Sequence, residues 1–203
     1  MVSGRLAAVA LLAVGGILLK KKLASKQGVG DSSFIEDSIE VDVPVRMAYD
    51  QWTQFEDFPK FMKDIESVRQ LDDTHLHWRA RIAGRPLEWD AEITHQIPDR
   101  RIAWHSTSGP PHSGVVTFDK VRENRTRVML RMAYRPRNSM ESMADFLGAV
   151  KLEVAGNLHR FAEFVQSRRH ETGAWRGTVE GGTTVSAASP LGATPTPVGA
   201  PGL

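Results

Sequence analysis

The segment Thr74–His95, THLHWRARIAGRPLEWDAEITH, constrains the fold most, because apolar and charged residues alternate through both of its halves around Ala83–Pro86. In extended strands, side chains two apart share a face. Leu76, Trp78, Ala80, Trp89, Ala91 and Ile93 therefore fall on one side, and His77, Arg79, Arg81, Glu88, Asp90 and Glu92 on the other. Taking Ala83–Pro86 as a four-residue loop pairs Ile82 with Leu87. That register sets Trp78 opposite Ala91 and Trp89 opposite Ala80. On the other face it sets Arg81 opposite Glu88, Arg79 opposite Asp90 and His77 opposite Glu92, each pair worth about 0.2–1 kcal/mol. With arginine partners the carboxylates stay ionised, so the acidic row reads as the solvated back of a sheet rather than a general acid.

The flanking sequence supplies matching elements. Ile35–Pro44 alternates Ile39, Val41 and Val43 with polar residues and reads as a half-buried strand. Behind Pro44, the residues Val45, Ala48, Tyr49 and Trp52 share a helical face, and Pro59 divides the following stretch into two short helical pieces. Ile97–Arg100, IPDR, predicts a turn that keeps Ile102 and Trp104 on the Trp89 face. A three-residue loop at Arg122–Asn124, with Asn124 left-handed, would place Val116 and Phe118 with Val128, Leu130 and Met132. From Asn138 the period becomes helical, with Glu141 completing a capping box. Leu147, Val150, Val154, Leu158, Phe161 and Val165 then predict one amphipathic helix of about 30 residues ending near Arg168 and Arg169.

The 203 residues leave room for one domain and appendages. With no cysteine, disulfides, thiolate zinc sites and a cysteine nucleophile are excluded. Residues 1–30 carry +5, which leaves 21 basic against 24 acidic residues elsewhere, a net of −3 that gives no field for nucleic acid. Leu6–Leu19 is fourteen uncharged residues followed by Lys20–Lys22. As a helix it spans about 21 Å, short of the ~30 Å hydrocarbon core unless residues 2–22 all contribute. Residues 1–25 are read as an uncleaved single-pass anchor with the lysines, and hence the domain, on the cytoplasmic side. An interfacial helix and a signal peptide are the alternatives. Residues 26–34 read as a polar linker, and residues 171–203, rich in Gly, Pro, Ser and Thr, as a disordered tail.

The order strand, two short helices, antiparallel strands and a long last helix is carried by SIEVDVPVRMAYDQWTQFEDFPKFM, EWDAEITHQIPDRRIAWHSTSG and GVVTFDKV. On these segments the chain resembles the polyketide cyclase/dehydrase and coenzyme-Q-binding START-like proteins of the SRPBCC superfamily, over about Glu36–Arg169. The resemblance implies an α+β helix-grip (START/Bet v 1-like) domain at residues 35–170. In that fold a curved antiparallel sheet wraps the long C-terminal helix around a hydrophobic cavity. Such a cavity would be lined by Trp78, Trp89, Ala91, Ile93, Trp104, Phe118, Leu130 and Met132, and roofed by Leu147, Val150, Val154 and Leu158. A solid core is the competing reading.

His95 and Tyr134, inward at strand ends, are candidate acid/base groups, and rim residues with satisfied hydrogen bonds are the alternative. His75, His77 and Glu92 carry the donor set of a facial metal triad, but Arg79 and Arg81 beside them repel a cation, so no metal is expected. No cofactor fingerprint is present. The leading expectation is a membrane-tethered domain that binds a small hydrophobic molecule, a lipid, quinone or polyketide-like compound. A cyclase/dehydrase-type enzyme and a protein-interaction module are the alternatives.

Overall fold

Pro44 joins the first two elements. Its φ of −58° suits the start of a helix, and its carbonyl accepts the first helical hydrogen bond from Ala48 N–H at 3.1 Å. The computed structural model describes residues 33–82, 84–134, 141–168 and 170–186, and the side chains of all of these except Ser33, Ile82, Arg85, Tyr134 and residues 141–150. Strand β1 (Ser33–Val41) precedes helix α1 (Val45–Trp52), and a 3-10 helix (Phe55–Lys60) contains Pro59. Strands β2 (Ile65–Gln70), β3 (His75–Ile82), β4 (Arg85–Ile97), β5 (Arg101–Ser106), β6 (His112–Arg122) and β7 (Arg125–Tyr134) follow. Helix α2 (Glu141–Gln166) and a short hairpin of β8 (Thr178–Glu180) and β9 (Thr183–Ser186) complete the described chain.

The antiparallel sheet runs β1-β7-β6-β5-β4-β3-β2, with β8 paired to β4 beyond the end of β3. Its inward face and the two helices share one core. Phe161 of α2 is fully buried and meets Trp52 of α1 edge-on at 4.8 Å and Phe61 at 5.4 Å.

The β3–β4 hairpin keeps its expected faces but not its expected partners. Ile82 pairs with Arg85, so two residues form the loop in place of four, and Gly84 takes φ +78°. Glycine adopts that conformation without the steric cost a side chain brings, and a tight two-residue turn matches the strand twist. The register moves by two. Trp78 now faces Trp89, the rings stacked 5.5 Å apart at 10°. On the outer face Arg79 donates to Glu88 at 2.9 Å, His77 Nδ1 lies 2.8 Å from Asp90, and Arg81 turns to Glu66 of β2 at 2.7 Å because Pro86 stands opposite it. At β6–β7 the loop is likewise two residues, Arg122 pairing with Arg125 after a bulge. Among the described residues Asp99 is the one non-glycine with positive φ, so Asn124 is not left-handed. Val116 and Phe118 face Leu130 and Val128, neighbours across the strands.

Two expectations about the ends are corrected. The single-pass anchor with a cytoplasmic domain has no structural support: no helix among the described residues is long and apolar enough to cross a membrane. Residues 1–32, which include the segment to which the anchor was assigned, lie outside the described residues. The apolar run is itself shorter than a hydrocarbon core.

The tail expected to be disordered from 171 is ordered to 186, and residues 187–203 lie outside the described residues. Composition misled here, because a few anchors outweigh many small residues. Val179 is fully buried, and Thr172 bonds Gln51 and Asp57. Arg176 enters between Asp50 and Asp99, donating to each at 2.6 Å. Asp50 is fully buried, and burial pushes its carboxyl up while the Arg176 guanidinium pulls it down. Arg176 is held firmly protonated, first by Asp99 and also by Asp50. At the other end, β1 already includes Ser33 and Phe34 of the expected linker.

Gly84→Ala forces an L side chain into left-handed backbone and is expected to cost about 1–2 kcal/mol in urea unfolding, where a four-residue loop would tolerate it. Arg176→Ala leaves the buried Asp50 carboxylate with only the exposed Arg46, 3.4 Å away, and is expected to cost about 3 kcal/mol at pH 7.5. A folded carboxyl raised above its unfolded value contributes stability at low pH that is lost as pH rises through the folded value. Removing Arg176 raises Asp50 further, so the deficit measured by denaturant titration shrinks at pH 4.5.

Candidate functional site

The inward face does not close on itself. A cavity of about 50 Å³ remains between the sheet, the end of α1 and the 3-10 helix. At about 10–15 Å³ per water this is room for a few small-molecule atoms rather than a packing defect. Of the residues expected to line it, Trp78, Trp89, Ala91, Ile93, Trp104, Leu130 and Met132 do so. Phe118 is buried but lies off the cavity, packed edge-on against Tyr49 at 5.5 Å. Val154 and Leu158 of α2 are buried in the core without lining it. Leu147, Val150 and Tyr134 belong to side chains outside the description.

Trp52, Phe55, Phe58 and Met62 form the wall opposite the sheet and were not anticipated. Their signal is in the sequence: Trp52, Phe55, Phe58 and Phe61 recur every third residue, the spacing that eclipses side chains in a 3-10 helix. The across-sheet placement of that stripe is a tertiary fact. Phe58 meets Trp78 edge-on at 5.6 Å and Trp52 at 5.5 Å, so the aromatic wall is continuous around the stacked indoles.

His95 is not in the cavity. A bulge between Ile93 and His95 inserts Thr94, so Ile93 and Gln96 both point inward, each 1% exposed, and His95 is left half-buried beside Ala103 and Glu180. Gln96 donates to the buried Tyr49 hydroxyl at 2.8 Å. Burial pushes the Tyr49 phenol up, so it remains neutral.

Among the described residues the titratable side chain that does line the cavity is His112, at the first position of β6 and 7% exposed. Strand alternation back from Phe118 and Val116 through Gly114 reaches it, since β6 begins at His112, ahead of the segment GVVTFDKV. Its Nδ1 lies 2.9 Å from the Pro110 carbonyl oxygen. A carbonyl can only accept, so Nδ1 carries the hydrogen and Nε2 keeps its lone pair. Burial holds the imidazole below the usual histidine range, against the pull of Pro110. Trp89 meets the ring edge-on at 6.1 Å. Trp78 Nε1–H, also buried, has no acceptor among the described residues. Among the described residues the cavity wall is thus mainly aromatic, with the neutral His112 as an acceptor.

His75, His77 and Glu92 each have a partner outside that trio. His75 Nδ1 is 2.9 Å from Asp72, His77 is engaged by Asp90, and Glu92 lies 3.6 Å from His105. The Asp72 carboxyl is held down to about 2, first by the Thr74 backbone N–H. Asp90 is lowered by His77 and then by Ser108. Among the described residues no three such groups converge as metal ligands.

Comparison with known proteins places these features in a family. Residues 41–163 match the model for polyketide cyclase / dehydrase and lipid transport proteins. An uncharacterised 17.2 kDa protein of Streptomyces lincolnensis is 49% identical over 148 residues, covering 72% of this chain and 99% of that protein. Among solved structures, the Zhui aromatase/cyclase of a Streptomyces species superposes with a TM-score of 0.61 at 15% identity, over 71% of this chain and 99% of that one. A START superfamily protein of Mycobacterium smegmatis gives 0.57 at 11% identity, over 65% and 98%. A Deinococcus radiodurans protein gives 0.53 at 25% identity, over 66% and 98%. The likeness to the aromatase/cyclase and the START protein is one of fold. With more than half its length matched by that family's model, the chain belongs to the polyketide cyclase/dehydrase and lipid transport family.

Proposed function

We propose that this domain binds a small, uncharged, mainly apolar molecule in the cavity between its sheet and the α1/3-10 segment. The observation that carries the reading is the cavity wall itself: among the described residues that line it, His112 alone is titratable and none bears a fixed charge. A charged ligand would be desolvated there without a counter-ion, which costs several kcal/mol or more. An apolar one loses only water. The resting volume is smaller than a whole ring needs, and Met62 and Met132 in the wall are unbranched side chains that can yield to such a guest. Polyketide-like and lipid-like molecules are the chemistry that the family's description brings to such a site.

A second reading, an enzyme of the cyclase/dehydrase type, draws on one observation. His112 is neutral with a free-standing basic nitrogen at an apolar wall, the state a general base needs. It stands in the role first considered for His95.

Toluene titrated into the protein and followed by the indole N–H resonances of Trp78 and Trp89 should shift both in a saturable way. Ala91→Phe places a ring in the cavity and should weaken that binding at least tenfold, with overpacking limited to about 1–3 kcal/mol of stability. Saturable shifts of equal affinity in the folded variant, or none in the wild type, would overturn the binding reading.

A further inference from the structure

The loop that carries His112 is held from the far side of the sheet. Thr107 N–H donates to the Asp90 carbonyl at 2.9 Å, and Asp90 N–H donates to Ser108 Oγ at 2.8 Å. The Ser108 hydroxyl in turn donates to the Asp90 carboxylate at 2.8 Å, which His77 also engages at 2.8 Å. The next residue, Gly109, has φ +71° and lies so close to β4 that a Cβ there would meet Trp89 Cβ at 2.8 Å. The loop therefore rests directly on Trp89 and presents the Pro110 carbonyl to His112 Nδ1. At its base, His112 N–H donates to Ser106 Oγ at 3.0 Å. Among the described residues these bonds engage the backbone and Nδ1 of His112 and leave Nε2 unbonded.

We infer that His112 Nε2 is a fixed hydrogen-bond acceptor by which the cavity selects an uncharged apolar molecule bearing a hydroxyl, a phenol being the simplest aromatic case. Ser108, seated on Asp90, is the positioning residue that keeps the acceptor pointed inward. The inference rests on the reading of the cavity as a binding site. A ligand hydroxyl donates its hydrogen to Nε2, whereas a hydrocarbon leaves a buried acceptor unpaired and a ketone or ether brings a second acceptor against it. A carboxylate is excluded, since no Lys or Arg among the described residues lines the space to balance it. The fixed Nδ1–H tautomer matters because the other tautomer would turn the selection round, presenting a donor in place of an acceptor.

Phenol and toluene are nearly isosteric, so the ratio of their dissociation constants isolates the hydroxyl. His112→Phe keeps an aromatic edge near Trp89 and should lower the preference for phenol by about tenfold, the value of one neutral hydrogen bond. Ser108→Ala should lower the same ratio by a smaller factor, because the carbonyl that fixes the tautomer is no longer clamped. Wild-type protein labelled with 15N at histidine supplies a reading that needs no variant. The His112 Nε2 resonance should move toward the hydrogen-bonded range with phenol and stay with toluene. If both probes bind with a ratio unchanged by His112→Phe, or Nε2 responds equally to the two, this inference fails while the binding reading stands. If neither probe binds the wild type, both fail together.

Discussion

The stacking of Trp78 on Trp89 is the contact on which the rest of the domain depends, and it exists because the β3–β4 hairpin turns in two residues. Once that turn sets the register, everything on both faces follows. Inside, two large aromatic surfaces spend their area on each other and leave Ala91, opposite Leu76, as the small residue at the cavity wall. Outside, the same shift moves Asp90 from Arg79 to His77. A carboxylate between a histidine and a serine can organise a loop as well as neutralise a neighbour. The acidic row is still the wet side of the sheet, yet one of its members holds the loop behind the cavity.

A second constraint works at the opposite end. Burying Asp50 on the inner side of α1 is unfavourable unless a cation and hydrogen bonds come with it. The chain meets this by returning after α2, so that Arg176 reaches Asp50 and Asp99 while Tyr49 lies under the guanidinium at 5.7 Å. Thr172 caps Gln51, and Trp175 N–H finds Thr53. The strap is therefore the counterpart of buried polar groups written into α1, and α1 in turn presents Trp52 to the cavity.

Which residues face inward was legible wherever a period of two or 3.6 ran unbroken, as in Leu76 to Ala80, Trp89 to Ile93 and Val128 to Met132. Pairing was not, because registers two residues apart put the same residues on the same faces, and only the turn distinguishes them. His95 was misplaced for a related reason: a bulge inserts one residue and reverses the alternation beyond it. No local signal announces that Gln96 will find Tyr49, 47 residues earlier in the chain. Arg176 is a still longer case, its partner Asp50 lying 126 residues away. Such a segment of small residues reads as disorder until the buried acid is known.

Whether the inward face makes a core or a cavity is decided by a few small residues. Gly114 stands between Trp104 and Met132 across three strands. A Cβ at that position would come within 2.5 Å of the Trp104 ring and 2.8 Å of Met132 Cγ. Glycine there lets the indole and the thioether close over the β6 backbone, so their bulk lies against the sheet rather than across the space above it. Ala91 acts similarly on β4. A sheet with β-branched residues at these two positions would push both side chains toward Phe55 and Phe58 and fill the gap. The cavity thus arises from where the sequence places glycine and alanine among tryptophans, and the neutral imidazole of His112 stands two residues from that glycine on the same face.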